Sequence, residues 1–262
     1  MLLEHTLDKL KMMKMRGMVL AVEEQLGSVE MQELSFEDRL GILVDREFMD
    51  RENRKLTRRL REARFRFQAR MEDIEYKWRQ GLDRAFVQEL GSCEWIRRHH
   101  NLILTGPTGI GKTFIACALG NRACELGFRV SSWRMPPLFN DLSIAKVDGS
   151  YGRLLAKIKK LDLLIIDDWG ISTLTDSERR DFLEIIEDRY ELGSTIMCGQ
   201  VPRDNWHETI GDPTIADSIV DRLVHNAYEV KLTGESIRKR IGKKTIKEKS
   251  DKKRTTKKGD RK

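Results

Sequence analysis

The sequence lacks the hydrophobic runs and leader features of membrane and secreted proteins. No stretch of its 262 residues approaches the run of about 18 apolar side chains that marks a candidate membrane helix. The start at Met1 has no charged segment followed by an apolar core and a small-residue cleavage site, as a secretory signal has. We therefore expect a soluble, cytoplasmic chain with no membrane partner.

Cysteine and histidine are too scattered to indicate a disulfide framework or a metal site. The four cysteines form no CxxC pair, and Cys117 and Cys124 stand roughly 10 Å apart on a predicted helix, too far for a disulfide bond. The five histidines form neither HExxH nor the spacing of a zinc finger, and no GxSxG motif is present. Reduced thiols are expected, and a protein-only metal site and a serine hydrolase are disfavoured.

Acidic residues are scarce at the C-terminal end. The stretch from Arg238 to Lys262 holds fourteen Lys/Arg and three Asp/Glu, a local charge of +11 in a chain whose total is +7. It has almost no apolar residues after Ile246, so it cannot bury enough surface to order itself. Residues 241–262 are predicted to be a disordered basic tail. Such a tail either serves solubility alone or adds salt-dependent affinity for phosphate backbones.

A second basic stretch has helical geometry. Residues 51–70 carry nine Lys/Arg and two Glu, and few acids stand at i,i+4 to compensate, Glu62 being the main exception. At 100° per residue one helical face collects five cations, which we call the basic ridge: Arg51, Arg54, Lys55, Arg58 and Arg59. The opposite face collects Leu56, Leu60, Ala63 and Phe67. The ridge is a candidate DNA-binding surface, and its alternative interpretation is a solvated helix face.

The N-terminal part of the chain is predicted to be entirely helical. Leu3, Leu7 and Leu10 keep helical spacing, and Ser35 followed by acidic residues is typical of a helix N-cap. Residues 1–70 are therefore expected to form a small helical domain that binds DNA or a partner. From residue 71 to about 240, apolar runs alternate with amphipathic helices, which is typical of an α/β domain with a parallel sheet.

The stretch TGPTGIGKT, residues 105–113, carries the strongest chemical signal. It follows a short apolar strand, residues 101–105, and precedes residues with helical spacing, as a Walker A loop requires. Its glycines let backbone N–H groups approach phosphates, Lys112 reaches the β- and γ-phosphates, and Thr113 offers a hydroxyl to Mg²⁺. The predicted nucleotide-binding residues are Gly106, Pro107, Thr108, Gly109, Ile110, Gly111, Lys112 and Thr113.

A second apolar run ends in two acids and predicts the Walker B strand. Leu163–Ile166 precede Asp167 and Asp168. We assign Asp167 to the Mg²⁺ shell together with Thr113, and Asp168 to the water that attacks the γ-phosphate. Adjacent acids after a strand can instead cap the next helix. No NKxD guanine-reading motif follows, so ATP is favoured over GTP.

Three further polar residues complete the predicted site. The run STIMCGQ, residues 194–200, predicts another core strand. Gln200 stands at its end, where its side chain is expected to contact the γ-phosphate or the water. Arg222 stands on a predicted helix, and Arg238 follows a Gly-Glu-Ser turn. By position alone, either arginine is equally well explained as a surface cation.

The order of these pieces resembles a known family. The segments GLDRAFVQELGSCEWIRRHHNLILTGPTGIGKTFIACALG, DGSYGRLLAKIKKLDLLIIDDWG and WHETIGDPTIADSIVDRLVHNAYEVKLTGES are similar to IstB, the helper ATPase of bacterial insertion sequences, and to DnaC-type helicase loaders. The likeness runs from about residue 30 to 240. It implies a three-layer α-β-α P-loop NTPase of the AAA+ class with a parallel sheet, preceded by the helical domain. Gln200 would then be the sensor-1 residue, Arg222 an arginine finger for a neighbouring subunit and Arg238 the sensor-2 arginine.

The resemblance also implies a function. An IstB-like protein is expected to form ATP-dependent oligomers on double-stranded DNA, deform it and recruit a partner transposase, with ATP and Mg²⁺ as cofactors. The family usually has Thr-Ser before the sensor glutamine, whereas this chain has Cys198-Gly199. That change removes two hydroxyls and puts the efficiency of hydrolysis in question. A DnaC-like helicase loader, a metabolic P-loop kinase and an architectural DNA-binding protein with a vestigial ATP site remain as alternatives.

Overall fold

The computed structural model describes residues 2–76, 79–234 and 236, and the chain divides into two compact units. The first unit ends at Arg59 and the second begins at Leu60. The division thus falls earlier than the boundary expected near residue 70. The reason is that the following residues pack within the second unit: the Phe65 ring lies close to Gly120, and the Asn121 side-chain amide donates a hydrogen bond to the carbonyl of buried Ala69 at 3.1 Å. Arg238 and the predicted basic tail, residues 241–262, lie outside the described residues.

The first unit is helical, as predicted. Its helices are α1 (Leu2–Met12), α2 (Arg16–Gly27), α3 (Val29–Gln32) and α4 (Phe36–Ala63), which continues into the second unit.

Two polar side chains fix the helices of this unit. Ser35 caps α4 as expected, because the Ser35 Oγ accepts a hydrogen bond from the Asp38 N–H at 3.1 Å. Buried Glu47 of α4 accepts hydrogen bonds from the Gly17 and Met18 N–H groups at the start of α2, at 2.7 and 3.2 Å.

The second unit alternates strands and helices. Its strands are β1 (Arg79–Gln80), β2 (Asn101–Thr105), β3 (Val130–Arg134), β4 (Leu163–Trp169), β5 (Ser194–Gly199), β6 (Ala227–Lys231) and β7 (Thr233–Gly234). Its helices are α5 (Arg84–Gly91), α6 (Glu94–Arg97), α7 (Lys112–Glu125), α8 (Met135–Val147), α9 (Tyr151–Lys159), α10 (Asp176–Arg189), α11 (Trp206–Ile210) and α12 (Pro213–Val224). Short 3₁₀ turns occur at Met71–Asp73 and Arg203–Asn205.

Five strands form a parallel sheet in the order β3-β4-β5-β2-β6. Helices cover both faces. Leu164 and Ile166 belong to the core beneath α8, α9, α10 and α12, whereas Ile165 faces α7, where its Cδ1 lies close to Gly120. The apolar runs of β4 and β5 are continuous because both of their faces are buried. This is the predicted three-layer α-β-α arrangement. The carboxyl ends of β2, β4 and β5 lie side by side, and Asp167 and Asp168 fall inside the last part of β4, which extends to Trp169.

The four cysteines are all buried, and none forms a disulfide bond.

Within the described ranges, none of the helices is long and apolar enough to cross a membrane.

Candidate nucleotide site

The loop between β2 and α7 has the backbone shape that its glycines allow. Gly106 and Gly109 have φ values of 145° and 82°, a region that residues with a side chain rarely adopt. A Cβ on Gly106 would lie 2.3 Å from the Leu232 carbonyl oxygen, and one on Gly109 would lie 2.3 Å from the Ser236 hydroxyl. The chain after β6 therefore passes directly against this loop, and both positions require glycine.

Lys112 begins α7 and points back into the loop. Its side chain is nearly buried, with 8% of the residue exposed, and its Nζ donates to the carbonyl oxygens of Gly106 at 2.7 Å and Pro107 at 3.0 Å. Burial lowers the pKa of Lys112, and the neighbouring acids Asp167 and Asp168 partly offset this. An ammonium group in the curve of a loop at a helix N-terminus is the arrangement that receives phosphate.

The remaining loop residues separate into exposed and anchoring positions. Pro107 and Thr108 are exposed, so they can meet a ligand directly. Ile110 is fully buried, so its side chain anchors the loop in the core and only its backbone is available to a ligand. Gly111, at φ 103°, occupies the N-cap position of α7.

Thr113 and Asp167 form the oxygen pair that was assigned to magnesium. The Thr113 hydroxyl lies 2.9 and 3.0 Å from the two carboxylate oxygens of Asp167 and donates to them. Asp167 is 3% exposed. Burial raises the pKa of Asp167, as does the Asp168 carboxylate, and the Thr113 hydrogen bond opposes them. A hydroxyl and a carboxylate are hard oxygen ligands of the kind that Mg²⁺ prefers, so the residues present fit this cofactor.

Asp168 is set apart from Asp167 by its backbone. Its φ is +64°, in the left-handed region, and the register of β4 against β5 shifts between Ile166 and Trp169. The Asp168 side chain is 30% exposed. This irregularity gives the second acid a solvent-facing position beside the buried one, and the sequence pattern did not indicate it.

Gln200 follows β5 at the same edge of the sheet. Gly199, the last residue of β5, pairs with Thr105, the residue before the loop, and with Trp169 at the end of β4. Gln200 therefore emerges between the loop and the two acids. A Cβ on Gly199 would lie 2.8 Å from the Trp169 carbonyl oxygen, which accounts for glycine here. Cys198 is fully buried, and burial raises the pKa of its thiol.

Arg222 lies near the amino ends of the strands, whereas the loop of the same chain follows the carboxyl end of β2. The Asn101 side-chain amide, at the start of β2, donates to the Leu223 carbonyl at 3.0 Å and to the Arg222 carbonyl at 3.3 Å. The Arg222 guanidinium pairs with Glu187 at 3.1 Å and donates to the Ser218 carbonyl at 2.8 Å. The structure does not bring Arg222 to the loop of the same chain.

One cation of the site was not predicted. The Arg66 guanidinium lies 3.7 Å from an Asp167 oxygen and 4.0 Å from an Asp168 oxygen. Arg66 lies just after α4, in the last part of the basic stretch 51–70, and no spacing in the sequence distinguishes it from the surrounding arginines.

The basic ridge is more compensated than the sequence indicated. Arg51 pairs with Glu47 at 2.6 Å, Arg54 with Asp50 at 2.9 Å, and Lys55 with Glu52 at 2.8 Å. The expectation of few compensating acids was therefore wrong, because the acids stand one helical turn before the cations rather than after them. The side chains of these three cations remain roughly half exposed.

Comparison with known proteins places this arrangement in a family. Residues 8–245 match the family described as IstB-like ATP binding protein. The chain belongs to this family. Among its relatives, the insertion sequence ATP-binding protein y4pL of Sinorhizobium fredii is 47% identical over 91% of this chain and 98% of that protein. The ATP-binding protein of insertion sequence IS1162 from Pseudomonas fluorescens is 43% identical over 77% and 88%.

Solved structures share the AAA+ fold of this IstB-like chain at low sequence identity. The DnaC helicase loader has a TM-score of 0.54 at 18% identity, over 64% of this chain and 98% of that chain. The replication initiator DnaA bound to AMPPCP and single-stranded DNA has a TM-score of 0.52 at 18% identity, over 71% and 56%. These likenesses establish the P-loop AAA+ fold and confirm the class expected from the sequence.

Proposed function

We propose that this IstB-like chain is an ATP-dependent helper of transposition, which hydrolyses ATP to ADP and phosphate. The observation that carries the proposal is the junction of Lys112, Thr113 and Asp167 at one loop. A nearly buried ammonium, a hydroxyl and a buried carboxylate are three of the groups that hold a nucleoside triphosphate with its magnesium ion in P-loop enzymes.

Each residue of the site has a distinct task in this proposal. The backbone N–H groups of residues 106–113 and the Lys112 ammonium bind the phosphates, while Thr113 and Asp167 hold magnesium. Magnesium bound there would supply positive charge to offset the negative charge of the phosphates. Asp168 accepts a hydrogen bond from the attacking water and orients it, and Gln200 contacts the same water or the γ-phosphate.

Oligomerisation is supported by the position of Arg222. It lies beside the start of β2, whereas the loop follows the end of β2, and a five-residue strand spans about 17 Å. Arg222 is therefore proposed to act on the site of a neighbouring subunit, so that ATP joins subunits into an assembly. Arg238 is proposed to contact the phosphates of its own site.

Double-stranded DNA is the proposed surface for that assembly. The ridge presents half-exposed cations, and arginine and lysine contacts to phosphates bind DNA without choosing a sequence. The family and its insertion sequence relatives support a transposase as the protein partner. A helicase loader is the second candidate, favoured only by the fold shared with DnaC.

The proposal is tested by nucleotide-dependent assembly. Wild-type protein and Lys112→Ala are incubated with double-stranded DNA, with and without ATP, and imaged by electron microscopy. Nucleotide binding and ATP turnover are measured separately. We expect ordered assemblies on DNA only for wild-type protein with ATP, because alanine removes the cation that holds the phosphates. Lys159→Ala, an exposed lysine on α9 that pairs with Asp188, is the matched control. Wild-type ATP turnover in Lys112→Ala would contradict the site assignment.

The partner is tested by pull-down with the transposase of an insertion sequence and with a replicative helicase. Capture of the transposase supports the helper function. Capture of the helicase alone would favour a helicase loader.

A further inference from the structure

The residues after α4 form a strip along the nucleotide-binding helix. We call residues 64–70 the connector segment. A Cβ on Gly120 of α7 would lie 2.6 Å from the Phe65 ring, so glycine at this position lets the connector approach closely. The Phe67 and Phe114 rings pack with centroids 6.3 Å apart. The connector is therefore built onto α7, the helix that Lys112 and Thr113 begin.

This packing delivers one arginine to the Walker B acids. The Arg66 Nη1 lies 3.7 Å from Asp167 Oδ2 and 4.0 Å from Asp168 Oδ2, so a single guanidinium reaches both carboxylates. The Arg66 side chain is 42% exposed, and Asp167 is almost fully buried. Arg66 thus approaches the acids from the solvent side.

We propose that Arg66 is a positioning residue that holds the Asp167 and Asp168 carboxylates and competes with a divalent cation for them. The inference rests on the proposed function of the site. Before a metal ion binds, the two neighbouring carboxylates repel each other, and a guanidinium within 4.0 Å of both reduces that repulsion. The same positive charge opposes a second cation at the same oxygens.

The connector lies between the helix that carries the basic ridge and the proposed metal ligands. It follows α4 directly, and α4 carries the basic ridge. Arg66 is therefore the group through which the residues after the proposed DNA-binding helix contact the proposed metal ligands.

The test measures metal binding rather than turnover. Full-length wild type, Arg66→Gln, Arg66→Lys and Arg64→Gln are titrated with Mn²⁺ in the presence of ADP, and bound Mn²⁺ is followed by electron paramagnetic resonance. We expect the half-saturating Mn²⁺ concentration to fall by up to about fivefold in Arg66→Gln, the upper end of the range for exposed ion pairs. Arg66→Lys keeps the positive charge, so its half-saturating concentration should stay closer to wild type than that of Arg66→Gln. Arg64→Gln is the matched control and should behave like wild type. Arg64 belongs to the same connector, and its guanidinium lies over the ring of Trp133 on β3.

A second measurement separates this role from a direct phosphate contact. Binding of a fluorescent ADP analogue in EDTA should be equal in wild type and Arg66→Gln, because no metal competes there. An Arg66→Gln titration that overlays wild type, or a higher half-saturating concentration, would overturn the inference. So would weaker ADP binding in EDTA with an unchanged Mn²⁺ titration, which would place Arg66 on the phosphates. Wild-type protein that binds no Mn²⁺ with ADP would overturn the proposed function as well.

Discussion

At the scale of single residues, the end of β4 shows how two adjacent acids come to differ. Side chains on a regular strand alternate between its faces, yet Asp167 and Asp168 both reach the Arg66 guanidinium. The register shift before Trp169 and the left-handed backbone of Asp168 make this possible. The result is one buried carboxylate bound to Thr113 and one partly exposed carboxylate free to face water.

The division of work between these acids predicts the effect of Asp168→Asn. Asparagine tolerates the left-handed region and keeps the size of the side chain, so the fold should be retained. Because the amide is a poor acceptor for the water proton, we expect hydrolysis to fall by about 100-fold or more while ATP affinity stays within about twofold. Single-turnover hydrolysis and nucleotide binding measure the two effects.

Asp204→Asn, a change at an exposed acid in the turn after β5, serves as the control for Asp168→Asn. Normal hydrolysis by Asp168→Asn would show that another group orients the water.

At the scale of secondary structure elements, an ion pair joins the starts of β3 and β4. The Arg129 guanidinium donates to both carboxylate oxygens of Asp162, at 2.7 and 3.1 Å, and the Arg129 N–H donates to the same group at 2.7 Å. Burial raises the pKa of Asp162, but the hydrogen bonds from Arg129 outweigh it and hold the pKa below its usual range. The pair attaches the edge strand β3 in its register.

Asp162→Asn should therefore destabilise the fold in a pH-dependent way. A lowered carboxyl pKa adds stability that is complete above the unfolded value of about 3.9 and is lost as the pH falls through the folded value. We expect a deficit of about 1 kcal/mol at pH 7, modest because Arg129 is largely exposed. The deficit should shrink as the pH falls below about 4, the unfolded value, and through the lower folded value. Urea unfolding across this range measures it, and a deficit that does not change with pH would contradict the assignment.

At the scale of the whole molecule, the basic ridge predicts how DNA affinity depends on salt. Changing Arg54, Arg58 and Arg59 together to Glu should weaken binding to all sequences alike and reduce the salt slope by up to about three, because phosphate contacts release counterions. Changing Arg153, Lys157 and Lys160 on and after α9 to Glu alters the net charge equally and serves as the control. Binding titrations from low to moderate salt measure both. An unchanged slope in the ridge variant would leave the ridge as a solvated helix face.

The proposed assembly makes Arg222 a test of subunit cooperation. Arg222→Ala subunits should bind ATP, because the loop lies on their own chain, but should not hydrolyse it or assemble on DNA. Mixing them with Lys112→Ala subunits should restore part of the activity, since one variant supplies an intact loop and the other an intact arginine. Fluorescence labelling must first establish that subunits exchange. Exchange without any recovered activity, or normal hydrolysis by Arg222→Ala alone, would contradict a finger that acts between subunits.

The local sequence was sufficient for the pieces of the site that are contiguous in the chain. Residues 105–113 predicted a loop between a strand and a helix, and β2 and α7 flank it as expected. Buried apolar runs predicted the parallel sheet, since strands covered on both faces need apolar residues on both. A parallel sheet in turn brings the carboxyl ends of β2, β4 and β5 to one edge, so the sequence order already implied that Lys112, Asp167 and Gln200 would lie at the same edge.

Tertiary structure decided what depends on contacts between distant residues. The spacing of Arg66 does not distinguish it from the other arginines of its stretch, and the packing of the connector on Gly120 brings it close to Asp167 and Asp168. Gly199, which breaks the expected Thr-Ser pattern, is explained by the Trp169 carbonyl that leaves no room for a Cβ. The division after Arg59 likewise agrees with the contacts of Phe65 with Gly120 and of Ala69 with Asn121. Spacing and composition carry no record of these contacts, because each depends on which surfaces meet after the sheet has formed.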